Sequence, residues 1–350
     1  MASWEDNVRK VVPYVPGEQP KEKNIIKLNT NENPYGPSKR VLEKAVELEK
    51  LKLYPDPAAS ERVETIANYH GLNNNQVFVG VGSDDVLAMA FMTFFNSGKK
   101  LLFPDITYSF YDVWAELFNI PYEQIPVDED FRIKAADYYK DNGGVIFPNP
   151  NAPTGIAEPL SFVRDILDHN KDVIVIVDEA YVDFGGESAL PLIDEYDNLL
   201  VVRTYSKSRS MAGLRIGYAM GNERLIKYLN DVKYSYNSYT MNMPSIILGK
   251  ESILDDEYFK ETVKKVIDTR EWFKGEIEKL GFSCPPSAAN FLFITHDRLS
   301  AKEIFETAKA NKIYVRYFNK PRIDNHLRVT IGTREEMETF LGLLQSIVKA

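Results

Sequence analysis

Val173-Ile174-Val175-Ile176-Val177-Asp178-Glu179-Ala180-Tyr181-Val182-Asp183-Phe184 opens as an unbroken apolar run and stops at two acids, an alanine and a tyrosine. A β-branched run without polar alternation suits a strand of a parallel sheet covered on both faces. Ligands of open α/β sheets sit at the carboxyl ends of the strands, which makes Asp178 a candidate site residue. An Asp in that place is as often a turn former or helix cap, so its neighbourhood has to decide.

On the N-terminal side, residues 76–81 read as a short strand before a glycine turn, 86–95 as a buried helix and 100–103 as a strand. Residues 144–147 read as a further strand and 160–170 as an amphipathic helix. Beyond the opening run, 199–203 and then 217–220 continue the rhythm. This alternation predicts an α/β fold: a large domain with a mostly parallel sheet covered by helices, plus a smaller C-terminal α+β domain. The expected division is an arm over 1–35, a large domain over 36–250 and a small one over 251–350. Helices are expected at 225–234 and 255–280, and strands at 291–294, 313–316 and 327–331. A capping box of Thr333 with Glu336 announces a last helix, whose Met337, Phe340, Leu341, Leu344 and Val348 follow helical spacing.

Composition narrows the function classes. With 44% hydrophobic and 27% charged residues in a chain of 350, disorder is excluded as the main state. The 42 basic and 51 acidic residues leave a net charge of −9, which opposes attraction to nucleic acid and anionic lipid. The single cysteine, Cys284, cannot form an internal disulfide and points to a reducing compartment. The N-terminal Met1-Ala2-Ser3-Trp4-Glu5-Asp6 has no basic-then-apolar signal pattern, and no stretch approaches the roughly 18 apolar residues of a membrane span. A cytoplasmic protein without membrane or nucleic-acid partners is expected. His70, His169, His296 and His326 have no ligand spacing, so no metal site is expected.

The second informative stretch is Arg203-Thr204-Tyr205-Ser206-Lys207-Ser208-Arg209-Ser210-Met211-Ala212-Gly213-Leu214-Arg215, again just past a buried strand. A lysine in such a loop is ordinarily a solvated charge. Here hydroxyls flank it and Arg215 follows, a set able to hold a phosphate while the amine does covalent chemistry. An Asp aimed at a pyridinium nitrogen and a Lys bonding an aldehyde are the two groups that pyridoxal phosphate demands. The Gly82-Ser83-Asp84 turn before a helix is a reasonable anion cradle, although Asp84 and Asp85 require neutralisation by Thr204, Ser206 and Arg215.

At this point the chain resembles the fold type I pyridoxal-phosphate aminotransferases of class I/II, and among them the histidinol-phosphate aminotransferases. The landmarks run in order from Leu28-Asn29-Thr30-Asn31-Glu32-Asn33-Pro34-Tyr35-Gly36-Pro37 through Tyr54-Pro55-Asp56, Gly80-Val81-Gly82-Ser83-Asp84 and Asn149-Pro150-Asn151-Ala152-Pro153-Thr154-Gly155. Asp178-Glu179-Ala180-Tyr181, Ser206-Lys207, Ala212-Gly213-Leu214-Arg215 and Leu327-Arg328-Val329 complete the series. The resemblance implies that Lys207 bonds the aldehyde of pyridoxal 5′-phosphate and later shuttles the substrate proton. Asp178 would pair with the ring nitrogen and Tyr181 would hydrogen-bond O3′. Tyr108 would stack on the ring, and Tyr54 would reach the cofactor phosphate of the opposite subunit of a homodimer. Where the family usually has Asn before Pro-Thr-Gly this chain has Ala152, which leaves Asn151 or Asn149 as candidate donors to O3′, or Tyr181 serving alone, and Asn151 is carried as a cofactor residue.

For substrates, the resemblance assigns Arg328 to the carboxylate of glutamate, with Arg316, Asn31 and Tyr14 as further substrate residues and Tyr14 reaching a substrate phosphate. A guanidinium inside the apolar strand of Leu327 and Val329 needs an anion, because an unpaired buried charge is costly. The expected reaction interconverts histidinol phosphate and 2-oxoglutarate with imidazole acetol phosphate and glutamate. Competing readings are a threonine-phosphate decarboxylase or an aromatic aminotransferase with the same landmarks, and a nucleotide-binding regulatory protein on the same kind of sheet.

Overall fold

The computed structural model describes residues 8–349, so the Met1–Asp6 stretch read above lies outside the described residues. In chain order the strands are β1 (Ile26–Lys27), β2 (Val77–Gly80), β3 (Leu101–Pro104), β4 (Tyr122–Ile125), β5 (Gly144–Pro148), β6 (Val175–Asp178), β7 (Leu199–Thr204), β8 (Gly217–Gly221), β9 (Phe282–Ser283), β10 (Phe291–His296), β11 (Ile313–Tyr314), β12 (Arg316–Tyr317) and β13 (Leu327–Thr330). Seven of them form one sheet in the order β2-β8-β7-β6-β5-β3-β4, in which β8 alone runs against its neighbours.

The opening apolar run has no polar alternation because both faces of this sheet are sealed. Val175 and Val177 of β6 enter one core with Val145, Phe147 and Val201. Ile176 enters the other with Ile146, Leu200 and Val202. Helices Ser60–His70, Leu160–His169 and Met243–Leu254 close the first core through Ile66, Val163, Ile166 and Ile246. Helices Ser83–Phe94, Tyr111–Phe118 and Glu223–Tyr236 close the second through Val86, Trp114, Ile226 and Leu229.

A third core sits under a four-stranded antiparallel sheet, β12-β13-β10-β9, and takes in Phe273, Ile304 and Phe340 of helices Asp256–Glu278, Ala301–Ala310 and Arg334–Lys349. The capping box of the last helix is present: Glu336 N–H donates to Thr333 Oγ1 at 3.3 Å, and Thr333 N–H to Glu336 Oε2 at 2.8 Å. The strand expected over 313–316 is divided. Its first half pairs in parallel with β1 of the arm, while its second half pairs with β13 and sets Arg316 opposite Arg328. The helix expected from 86 begins at Ser83, because Gly82 (φ +89°) turns the chain and Asp84 and Asp85 suit a helix start. Strand β4 was not foreseen: it is a half-exposed edge with Glu123 and Gln124, so it presents no apolar run. Among the described residues no helix is long and apolar enough to cross a membrane.

Candidate active site

The carboxyl ends of β6 and β7 bring Asp178 and the Lys207 turn to one cavity of about 230 Å³, which Tyr181, Ser83, Thr204, Ser206 and Arg215 also line. Asp178 is 4% exposed and accepts hydrogen bonds from the Tyr111 hydroxyl at 2.9 Å and from Ala180 N–H at 3.2 Å. It has no cationic partner among the described residues. Burial pushes its carboxyl up to about 6, against the pull of those two hydrogen bonds, and the charges of Asp84 and Glu179 add to the rise. Lys207 Nζ donates to the Thr30 carbonyl at 3.3 Å and lies 5.7 Å from the centre of the Tyr181 ring.

The glycine turn before the Ser83–Phe94 helix is built by close backbone approach. A Cβ on Gly82 would lie 2.5 Å from Arg215 Nη2, and one on Gly217 would lie 2.2 Å from the Gly82 carbonyl carbon, so only glycine lets β8 pass this turn. Arg215 itself is left-handed (φ +51°); it donates to Ser206 Oγ at 3.4 Å and to Asp84 Oδ2 at 3.2 Å. Thr204 Oγ1 donates to Ser206 Oγ at 3.0 Å, and Ser206 N–H donates to Thr204 Oγ1 at 3.1 Å. The Tyr108 hydroxyl donates to Asp84 Oδ1 at 2.8 Å, and burial followed by the charge of Asp84 keeps that hydroxyl protonated. Asp84 is thus paired with Arg215. Gly82 sits behind that arginine, while Ser83 and Asp84 face the cavity.

A second cavity of about 480 Å³ shares Thr30, Asp84, Tyr108, Tyr181, Lys207 and Arg215 with the first and adds Tyr14, Asn31, Arg316 and Arg328. Arg328 donates from Nη2 to the Asn29 carbonyl at 3.0 Å, while its Nε is sealed from solvent without a partner. Its guanidinium lies 5.5 Å from the Phe291 ring and 5.8 Å from the Phe318 ring. Burial makes its charged form less favourable than that of an ordinary arginine. Like charges directly across a strand pair repel, and neither Arg316 nor Arg328 makes an ion pair among the described residues. The pair is therefore short of an anion. The Tyr14 ring stacks on Phe110 at 4.0 Å, and both line this cavity. Asn31 donates from Nδ2 to the Tyr181 hydroxyl at 2.9 Å and accepts from Thr330 Oγ1 at 2.9 Å, so the arm fixes Tyr181.

Besides Gly82, two expected site residues stand apart. Asn151 is turned away: its Nδ2 donates to the Ile106 carbonyl and its Oδ1 accepts from Thr107 Oγ1, each at 2.9 Å. A buried loop carbonyl needs a donor, and Asn151 provides it, so Ala152 lines the cavities instead. Tyr54 is 81% exposed and lies against Tyr239 at 4.7 Å, outside both cavities. Sequence reasoning missed Tyr111, Thr30, Glu32 and Ala180. Ala180 carried a signal, as the small residue between the acids and Tyr181; Tyr111 carried none, because it reaches Asp178 from a helix on another part of the chain.

These groups match the demands of pyridoxal phosphate: an amine for its aldehyde, a buried carboxylate lacking a cation for its ring nitrogen, and guanidinium, hydroxyl and helix N–H donors for its phosphate. The sheet and site define a chain of the aminotransferase class I and II family, and it belongs to that family, whose pattern matches residues 23–344. A histidinol-phosphate aminotransferase from Clostridium beijerinckii is 52% identical over 348 residues, covering 99% of this chain and 97% of that protein. The crystal structure of a histidinol-phosphate aminotransferase from Clostridium acetobutylicum superposes with TM-score 0.85 at 23% identity, over 93% of this chain and 99% of that one. That of the Sinorhizobium meliloti enzyme in complex with pyridoxal-5′-phosphate gives 0.83 at 20% identity, over 93% and 91%. The reading as a nucleotide-binding regulatory protein is thereby set aside.

Proposed function

We propose that this chain interconverts L-histidinol phosphate and 2-oxoglutarate with imidazole acetol phosphate and L-glutamate, with pyridoxal phosphate held by Lys207, Asp178 and Arg215. The observation that carries the substrate class is the unpaired couple Arg316 and Arg328, facing Tyr14 across a cavity continuous with Lys207. Such a pocket suits a donor with a phosphate in one half-reaction and a second carboxylate in the other. The 52% identical Clostridium beijerinckii relative, a histidinol-phosphate aminotransferase, supports the reading.

When bound, the cofactor supplies an electron sink for the charge left on the donor's α-carbon. The chain's own residues do the rest. Asp178 holds a proton at the ring nitrogen, a role suited to a buried carboxylate without a competing cation. Tyr181, oriented by Asn31, donates to the ring oxygen. Arg215, Ser83, Thr204 and Ser206 hold the phosphate and so keep the ring in place. Lys207 Nζ, released by the incoming amine, takes the proton from the donor's α-carbon. Tyr54, exposed on the monomer, is proposed to reach the phosphate of a second copy, which makes the active species a homodimer. The division at 250/251 into a large and a small domain, and a cytoplasmic location, belong to the same proposal.

Single-turnover rates with histidinol phosphate, threonine phosphate, phenylalanine and histidine test it. Histidinol phosphate should react fastest. A preference for phenylalanine, or release of carbon dioxide from threonine phosphate, overturns the substrate while leaving the cofactor chemistry in place.

A further inference from the structure

The neighbours of the two chemical residues are joined by a chain of polar contacts that the proposed reaction does not use. Glu179, next to Asp178, has a fully buried side chain that accepts from Arg203 Nε at 2.9 Å, from Ser188 Oγ at 2.8 Å and from Ala189 N–H at 2.5 Å. Arg203 on β7 also donates from Nη2 to Ser188 Oγ at 2.7 Å, and its Nη1 stands 3.7 Å from Asp183 Oδ1. Asp183 lies in the short turn after Tyr181 and accepts a 2.5 Å hydrogen bond from Ser208 Oγ, next to Lys207. The Ser208 carbonyl accepts from Asn33 Nδ2 of the arm at 3.2 Å.

We propose that Arg203, Asp183 and Ser208 are positioning residues that set the Lys207 turn against the end of the Asp178 strand. The need for them follows from where the backbone ladder stops. β6 ends at Asp178 and β7 at Thr204, so Lys207 stands beyond the last ladder position, on a turn closed by its own backbone bonds, Met211 N–H to the Tyr205 carbonyl at 3.1 Å and a long Ser210 N–H to the Lys207 carbonyl at 3.4 Å, with no backbone bond to the segment that follows Asp178. Its side chain has four rotatable bonds. An amine that must meet one carbon of the substrate loses rate steeply when its anchor moves by an ångström. The Ser206 N–H bond to Thr204 Oγ1 fixes the turn before Lys207, and the Ser208 hydroxyl fixes it after. Arg203 closes the loop because one guanidinium serves Glu179 and Asp183, and both carboxylates sit on the segment that follows Asp178. Asn33 adds the arm, whose Asn31 already holds Tyr181. The three groups that act on the ring and the substrate are thus referred to one rigid cluster.

The inference rests on the proposed function, and the test separates the two. Ser208→Ala, Ser208→Thr and Asp183→Asn are compared with wild type as holoenzymes. The measurements are the saturating single-turnover rate and half-saturation concentration for donor and acceptor, the visible-region circular dichroism of the bound cofactor, and the thermal midpoint. Ser208→Ala should lower the saturating rate of both half-reactions by about tenfold, leave half-saturation unchanged and alter the visible dichroism. Ser208→Thr, which keeps the hydroxyl, should restore most of the rate. Asp183→Asn keeps an acceptor for Ser208 but loses the charge facing Arg203, so it should shift the same readouts less; it also carries the test should Ser208→Ala fail to fold. Rates within about twofold of wild type with unchanged dichroism overturn the positioning role alone. So does a rate loss that merely follows the folded fraction. A wild-type chain that shows no visible cofactor band overturns the function and this inference together.

Discussion

The two adjoining cavities are built in different ways. The one around Lys207 and Asp178 is framed by strand ends of the large sheet, where two sealed cores leave the backbone little freedom. The one around Arg316 and Arg328 is assembled from a short antiparallel pair, a proline-rich arm and the Tyr108 to Phe110 turn. In the proposed function the first places chemistry common to every substrate on rigid elements. The same proposal gives charge recognition to the second, whose segments meet only through long-range contacts, such as β1 against β11. Substitutions in the first should therefore depress every reaction alike, and those in the second should discriminate between anions.

The largest effect is expected at Lys207. Lys207→Ala should retain cofactor binding yet lose about a thousandfold or more of the single-turnover rate with every donor, because imine formation and proton transfer both need its amine. Near wild-type transamination by that variant would remove the first cavity from the chemistry. Arg328→Ala should weaken kcat/KM for both glutamate and histidinol phosphate by roughly thirtyfold to several thousandfold, the 2 to 5 kcal/mol expected for losing one side of a buried charge-assisted pair. A loss confined to one of them would mean that the arginine couple divides the two anions between its members.

Asp178 also bears on stability. Its carboxyl titrates near 6 in the folded chain against an ordinary value near 4, so the stability it contributes is complete below about pH 4 and is lost as pH rises through 6. In the apoprotein, urea unfolding should show Asp178→Asn gaining on wild type by about 3 kcal/mol between pH 4 and 7.5. A pH-independent difference would show that the buried carboxylate is not strained without its partner. The smallest effect belongs to Tyr14→Phe. Removing one hydroxyl should reduce kcat/KM for histidinol phosphate by about two- to tenfold and leave glutamate unaffected. Equal losses for both would show that the arm does not select the phosphate.

How much of this was legible follows the same division. The strands that bear Asp178 and precede Lys207 announce themselves as apolar runs, because burial on both faces forbids polar alternation. Ser83, Thr204, Ser206 and Arg215 were in reach of the sequence because each lies within a few residues of a strand end. Asn151 misled, since the residue type suited a donor and only the fold shows that the Ile106 carbonyl takes its amide. Tyr111 gave no signal at all.

The apolar strands at the centre of the large sheet, the acid and the amine at adjoining strand ends, and the glycine turn were determined by local sequence, through burial period and steric limits on the backbone. Tertiary structure alone decided that Arg316 faces Arg328 across a strand pair, that Asn31 holds Tyr181, and that Asp183 meets Ser208. Those contacts join residues distant in the chain, and their energies depend on desolvation and on geometry that exists only once the cores have formed.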